Sequence, residues 1–509
     1  MIHLPAAPGY ARARGFLALL FTVLAVGLAA RGVSASLWAD GGDTTLRHDI
    51  EVLAGYGLIE GPVTAWPVPW AQVGKGLDVV TDAAMPVHVR RSLARVRRRL
   101  EEETRGGGLR YEVDVASASR PRLIQNFGGA VREELDGRVS VERRWKSTFV
   151  RLSAGYEGDE AGDFKADGTY VAQAIGNWAV YGGYVEQWWG PGWGNSLVLS
   201  NNARPFPAIG VTRLAPEAFE SRWLRWMGHW RVRGHLGVLD DGRAVSAPLF
   251  FGMRLTLTPL RGLEIAVTRT LMICGSGRPC GIDTWIDALL PFNEADNTGM
   301  PDDPSNQLAG FGLRYAPRIG DYGAALYGQY FGEDEIDLWV RSVVGLFGLS
   351  VDGPFLDRGA QWRLTGEYSD TAADGVDGRS TSFNVVYNHS IYQTGYRYRG
   401  RAVGHGLDGD SRLLSFGATL IDSRDGSYHL RYHRANVNRD GASATDRSAN
   451  SRHTVSASAE TVHVVEIEAE LPTRLGVFGA GVWWQDDGPN TPHGLRPETG
   501  GRLSWRRRF

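Results

Sequence analysis

From Leu109 onward, apolar and polar residues alternate with a period of two. Tyr111, Val113 and Val115 face one way, and Glu112, Asp114 and Ala116 the other, which is the signature of a strand. The alternation returns at Phe149–Leu152, Trp226–Val238, Arg254–Leu257, Ala324–Phe331, Trp362–Tyr368, Phe383–Tyr387, Tyr428–His433 and His463–Leu471. Charged residues often hold the alternate places, as in Trp230-Arg231-Val232-Arg233 and Tyr396-Arg397-Tyr398-Arg399. Such strands need one apolar and one wet face, and a membrane barrel with a hydrated lumen provides both. Segments rich in Gly, Asp, Asn and Pro, such as 370–379 and 439–450, read as turns and loops. About 400 residues at roughly 20–25 per strand and loop predict about 16–20 strands.

The pattern ahead of Leu109 is helical instead. Leu46, Ile50, Leu53 and Leu58 recur at near-helical spacing until Gly55 and Gly57 interrupt it. Gly61–Trp70 is a proline-stiffened connection, and a second helix begins after Met85-Pro86 with Leu93, Val96 and Leu100 on one face. Its other face carries Arg90, Arg91, Arg95, Arg97, Arg98 and Arg99, followed by Glu101–Glu103. This run suits either a polyanion partner or, more commonly, a solvated helix face with i,i+4 ion pairs. The triple glycine at 106–108 reads as a linker, so residues 36–108 form a separate N-terminal helical domain and 109–509 the barrel with its surface loops. Residues 1–35 read as a cleaved secretory signal. Arg12 and Arg14 precede an apolar run over Gly15–Ala30, and Val33-Ser34-Ala35 supplies small residues for cleavage.

Composition suits a transmembrane barrel but does not by itself separate it from a large soluble β-protein. The chain has 509 residues, with 66 Gly, 17 Trp, 18 Tyr and 18 Phe against 2 Cys and 6 Met. No internal segment approaches the ~20 apolar residues of a membrane helix. The formal net charge of −2 gives no reason to expect a nucleic-acid partner. At the C-terminus, Leu503, Trp505 and Phe509 share one face and the chain stops on an aromatic, like the last strand by which outer-membrane barrels address their assembly machinery. Arg507 occupies that same face, where an apolar residue is usual. Outer-membrane lipid and the barrel assembly machinery are therefore expected partners.

One stretch has no period at all. Gly182–Arg213 packs Trp188, Trp189 and Trp193 between glycines and Pro191, and surrounds them with Glu186, Gln187, Asn195, Asn201, Asn202 and Arg204. Indole faces stack on sugar C–H faces while amides, carboxylates and guanidinium bond hydroxyls, so the mixture suits a carbohydrate. It suits equally a stiff aromatic turn that holds a barrel wall.

Tyr184–Arg213, with Leu46–Trp70 and the weaker Asn306–Tyr315 and Tyr396–Gly417, resembles the Wzi family of outer-membrane capsule-assembly proteins. The resemblance implies an antiparallel barrel of about eighteen strands with a helical bundle on its periplasmic side. It also implies a lectin-like role in retaining capsular polysaccharide or exopolysaccharide at the cell surface. On that reading the three tryptophans stack on sugar rings, and an acidic polymer engages Arg204 and secondarily Arg397, Arg399 and Arg401. Replacing Trp188 and Trp189 by Ala would then release polymer without lowering barrel abundance. The alternative from another class is a porin or channel for small solutes or saccharides, lined by the alternating charges.

Cys274 and Cys280 enclose a short glycine-rich loop that an oxidising compartment would close as a disulfide. No neighbouring His pattern makes them a metal site. Asp283, Asp287, Glu294, Asp296, Asp302 and Asp303 follow, read as solvated loop carboxylates rather than a Ca²⁺ site, because their spacing is not that of an EF-hand. His389-Ser390, His405 with Asp408, and Asp283 with Asp287 are fragments of a nucleophilic site without a G-x-S-x-G elbow. The expectation is a protein that is not an enzyme and needs no cofactor or metal.

Overall fold

The computed structural model describes residues 36–77, 85–104, 108–129, 131–158, 163–289, 305–336, 339–356, 359–375, 381–441, 453–489 and 497–509. Residues 1–35, read above as an export signal, and Gly106, Gly107 and the acidic residues Glu294, Asp296, Asp302 and Asp303 lie outside the described residues.

Eighteen antiparallel strands among the described residues close a barrel. They are β1 Leu109–Ala118, β2 Leu135–Trp145, β3 Thr148–Gly158, β4 Tyr170–Ile175, β5 Trp178–Gly183, β6 Ala208–Arg213, β7 His229–Val238, β8 Leu249–Leu260 and β9 Leu263–Ile273. The second half has β10 Ser305–Tyr315, β11 Tyr322–Ile336, β12 Trp339–Pro354, β13 Gln361–Gly375, β14 Arg412–Ile421, β15 Ser427–Val437, β16 Glu460–Thr473, β17 Gly476–Gln485 and β18 Glu498–Arg508. Consecutive strands pair, and β18 closes on β1 with Arg506 opposite Asp114 and Arg508 opposite Glu112. Those charges point inward and bond across the seam, Arg506 Nε to Asp114 at 3.2 Å and Arg508 Nε to Glu112 at 2.8 Å. Arg507 points outward, its guanidinium 4.7 Å over the Phe509 ring, so the charge at the apolar position is carried on an aromatic face.

The alternation separates charge from lipid. Outward Leu313 and Leu503 are 50% and 69% exposed, whereas inward Arg254 and Glu264 are 1% and 5% exposed. Apolar outside and charged inside is the reverse of a soluble protein and is what a spanning barrel requires. Strands joined by short links such as 146–147, 176–177, 261–262 and 474–475 meet at one end, and both ends of the barrel sequence, Leu109 and Phe509, lie there too. Long connections, 119–134, 184–207, 274–304, 376–411 and 438–459, all leave from the other end. Short turns mark the periplasmic end of such barrels and long loops the cell exterior. Trp178, Tyr315, Tyr322 and Phe478 are exposed near the short-turn end, where an aromatic girdle meets the headgroups.

Helices α1 Thr44–Gly55, α2 Trp70–Lys75 and α3 Val87–Thr104 form the bundle, and they dock on the short-turn end. Asp43 caps α1 by accepting the Leu46 N–H at 2.8 Å. Ile50, Leu53, Trp70, Val73, Leu93 and Val96 form a shared core, which takes in the apolar faces expected of α1 and α3 and adds α2, which was not expected. The arginine face of α3 is only partly left to solvent: Arg90 and Arg98 are exposed, and others are engaged. Arg95 forks onto Asp49 at 2.7 Å and reaches Asp425 at 3.1 Å, and Arg91 donates to the Ser423 carbonyl at 2.5 Å. Arg99 with Glu103 is an i,i+4 pair and Arg97 donates to the Leu77 carbonyl, while Arg91, Arg95 and Arg98 grip the β14–β15 turn. A basic run is read as solvated only until a partner surface exists, and here the partner is the barrel itself.

Candidate functional site

The aperiodic tryptophan stretch leaves the wall at Gly183, whose φ of 146° no side chain readily adopts, and turns into the lumen. There Trp188–Trp189 pairs antiparallel with Ala65–Trp66 from the segment between α1 and α2. Two inward side chains of the wall hold the turn. Gln329 on β11 donates to the Trp189 carbonyl at 2.8 Å and accepts the Leu197 N–H at 3.2 Å. Glu367 on β13 accepts the N–H groups of Trp193 and Gly194 at 2.5 and 2.8 Å and the Tyr327 hydroxyl at 2.7 Å. From below, Arg47 of α1 donates to the Pro191 and Gly192 carbonyls at 2.6 and 2.8 Å. A Cβ on Gly192 would lie 2.3 Å from the Asn195 carbonyl oxygen, so only glycine closes this turn.

The second part of the plug is 383–411. Tyr387 and Tyr396 stack at 5.5 Å, and the Tyr387 hydroxyl donates to the Leu197 carbonyl at 2.5 Å. Asn195 accepts the Gly406 N–H at 2.9 Å and Asn202 donates to the Ala402 carbonyl at 2.9 Å, joining the two segments. Leu197, Val198, Phe206, Tyr387, Tyr392 and Tyr396 pack with wall residues into one apolar core inside the barrel.

The sequence-predicted residues therefore divide. Trp188 and Trp189 are 2% and 0% exposed, covered by Trp66 and Phe127 on one side and by His235 on the other. Trp193 is half-buried between two guanidiniums, Arg47 at 4.2 Å and Arg363 at 4.7 Å from its ring. Asn195, Asn202 and Arg397 are buried; Arg397 forks onto Asp408 at 2.9 and 2.8 Å. Gln187 bridges Tyr181 and Trp189 at 3.2 and 3.0 Å. Both faces of the paired indoles thus meet protein.

The others gather at the outer mouth. Arg204 bonds Asp167 at 3.0 Å and Asp163 at 3.2 Å, and Arg399 bonds Asp163 at 2.6 Å. Arg399 and Gly400, with φ of 48° and 76°, are the tip of the small hairpin 397–402 and hold the guanidinium outward. Arg401 donates to the Arg132 carbonyl at 2.9 Å and lies 3.8 Å from Glu133. Beneath this rim a polar cavity of about 130 Å³ is lined by Asp136, Arg138, Lys165, Asp167, Glu186 and Asn201 among others. Asp163, Lys165, Asp167, Arg132 and Glu133 were not singled out from sequence, although the charge-dense run Asp159–Asp167 was a usable signal. A larger concavity on the lipid side, about 1230 Å³ with Leu364, Leu430, Ile467, Val482 and Leu503 in its lining, is apolar and unsuited to hydroxyls.

The catalytic fragments do not assemble. Ser369 Oγ lies 2.8 Å from His405 Nε2, but His405 Nδ1 accepts the Leu407 N–H at 3.2 Å, so Nε2 carries the proton and cannot act as base toward that serine. Asp408 is committed to Arg397 and Thr454, and Arg397 holds its carboxyl well below the usual carboxylate range despite burial. Burial pushes His405 down to about 4. His389 accepts the Ile391 and Tyr392 N–H groups. Among the described residues no group of three His, Cys, Asp or Glu side chains converges to hold a metal ion. Cys274 and Cys280 are bonded to each other.

An eighteen-stranded antiparallel barrel with an apolar outer face, a lumen filled by its own loops and a helical bundle beneath its short turns is a plugged outer-membrane barrel. The chain belongs to the family described as capsule assembly protein Wzi, whose family model matches residues 107–481. It is 30% identical over 302 residues to a Klebsiella pneumoniae protein described as an uncharacterized 55.8 kDa protein in the cps region. That match covers 58% of this chain and spans 58% of the relative's length. Among solved structures it is similar to Wzi of Escherichia coli, described as an outer membrane protein involved in group 1 capsule assembly and a carbohydrate-binding β-barrel. The two superpose with a TM-score of 0.77 at 23% identity, covering 92% of this chain and 99% of that one. At that identity the likeness is one of fold.

Proposed function

We propose that this chain is a non-enzymatic, lectin-like protein that holds capsular or other extracellular polysaccharide at the cell surface. The observation that carries this reading is a barrel plugged by its own tryptophan and tyrosine segments, whose outer mouth displays Arg204, Arg399 and Arg401 among carboxylates. Family membership and the printed description of the Escherichia coli relative support it. A polymer of acidic sugars would exchange its own carboxylates for Asp163 at Arg399 and Arg204, and its hydroxyls would meet Glu186 and Asn201 in the cavity below. Trp188, Trp189, Trp193, Gln187, Asn195, Asn202 and Arg397 would serve this function by fixing the mouth from beneath. The last strand, ending at Phe509, would present the protein to the barrel assembly machinery.

The test is binding of purified protein to immobilised acidic polysaccharide. Arg399→Ser combined with Arg401→Ser should weaken binding and reduce its salt dependence at unchanged barrel abundance. Undiminished binding by that variant rejects the rim as the contact. The porin alternative is addressed by the same protein in planar bilayers: with the lumen filled, no steady conductance is expected.

A further inference from the structure

The outward faces of β8, β9 and β10 differ from the rest of the wall. Elsewhere outward side chains such as Leu326, Leu430 and Leu503 are open to the membrane, but at the outer end of β9 Leu271 and Ile273 are both 0% exposed. Their direction follows from the alternation. Glu264 and Thr270 project into the lumen, where Glu264 accepts the Val63 and Thr64 N–H groups and Thr270 meets the Tyr396 hydroxyl at 3.0 Å. Arg269, Leu271 and Ile273 therefore project toward lipid.

What covers them is a fourth helix, α4 Ile282–Leu289, lying against the outside of the barrel. Ala288 is buried with Leu271, Ile273 and Cys274, and Leu249, Phe251 and Trp285 pack beside them. Trp285 meets the outward Phe251 edge-on at 6.3 Å. Arg269, a cation on the lipid side of the wall, donates to the Ala288 and Leu289 carbonyls at the C-terminus of α4, at 2.8 and 3.3 Å, and to Gln307 at 3.0 Å. The Cys274–Cys280 disulfide ties the start of this excursion to the end of β9. The opposite face of α4 is an apolar stripe at i, i+4 and i+7: Ile282, Ile286 and Leu289 are 78%, 48% and 38% exposed.

We infer that α4 is an interfacial helix whose Ile282, Ile286 and Leu289 stripe lies among the acyl chains of the outer leaflet. Two features argue for lipid. The stripe continues the apolar outer face of the wall formed by Met253, Val267 and Phe311, and the helix satisfies a guanidinium that hydrocarbon would otherwise meet.

The test uses the full chain in vesicles of phosphatidylcholine and phosphatidylglycerol, with a nitroxide on Ile286→Cys. The native thiols are locked in their disulfide, so the introduced one alone reacts. Oxygen, which concentrates in hydrocarbon, should relax this label more than a water-soluble nickel chelate does, as it should at Val267→Cys on the bare wall. A label at Gly242→Cys, an exposed position in the 239–248 connection, should respond in the opposite order. Ile282→Cys reads the same stripe should the first variant not fold. Nickel-dominated relaxation at the stripe overturns the inference, and so does screening from both reagents, which would mean that a protein covers it.

Discussion

The turn around Trp193 and the rim around Arg399 come from neighbouring parts of the same plug, yet they are built in opposite ways. At the turn, one carboxylate, Glu367, receives three donors, two guanidiniums enclose one indole, and the surrounding side chains are buried. At the rim, Arg399 and Asp163 are 48% and 60% exposed in their side chains, so that pair is within reach of water, while Arg204 and Asp167 beside it are largely buried. A fully enclosed polar network is costly to disturb because every orphaned group stays buried, whereas an exposed ion pair exchanges with solvent at little cost. The difference teaches that residue type alone does not assign a role in this plug. Depth does.

The comparison breaks most visibly at its closed side. Glu367→Ala strands the Trp193 and Gly194 N–H groups and the Tyr327 hydroxyl, each worth about 1–3 kcal/mol when buried without an acceptor. A large fall in thermal stability and the appearance of conductance in planar bilayers are expected together. Trp189→Ala leaves an indole-sized void among Leu197, Val198 and Phe250, at about 3–5 kcal/mol, measurable by thermal unfolding in detergent. Barrel abundance should therefore fall before polymer release becomes informative, contrary to the outcome expected when Trp188 and Trp189 are imagined as surface residues.

Acidification probes the same depth. His405 is held neutral, its pKa pushed down to about 4 by burial, while the unfolded chain takes up that proton near 6.5. The unfolded state thus binds more protons between those values, so stability should be flat above pH 6.5 and decline as pH falls toward 4, by about 3 kcal/mol for this group. Burial, then the Arg363 guanidinium, puts His48 in α1 at about 4 as well, so the two add. His405→Gln should remove its share of the slope in pH-dependent unfolding. The smallest effect belongs to the rim: Arg399→Ser should change stability by under about 1 kcal/mol, with its consequence confined to polymer binding.

Most of the wall was legible because lipid imposes a strict period, but the same alternation at Phe383–Tyr387 and Tyr396–Arg399 belongs to the plug, and 370–375, read as loop, continue β13. Tyr111, Val113 and Val115, the Trp230–Arg233 alternation and Leu503-x-Trp505 each state which side is greasy, with no knowledge of neighbours needed. Helices α1 and α3 announced themselves for the same reason, through one apolar face, whereas α2 was not foreseen and Asp283 and Asp287, read as loop carboxylates, lie in the short α4. The tryptophan stretch was recognisable as an organiser, but which way its indoles face was not. Its segment has no period, and its burial is decided by Gln329 and Glu367, some 140 and 170 residues further along. The rim was only half legible: Arg204 and Arg399 stood out, while their partners Asp163 and Asp167 were not singled out. The arginines of α3 posed the same problem, since Asp425 is remote in sequence and local in space.

The two-residue ribbon between Ala65–Trp66 and Trp188–Trp189 makes the bundle something other than a detachable foot. Without residues 36–104 the plug would lose one edge of its backbone pairing. Arg314 and Arg363 would lose the Glu51 carboxylate that lies 3.2 and 2.9 Å away, and Trp193 would be uncovered from below. A shortened protein would keep its cylinder and forfeit its stopper.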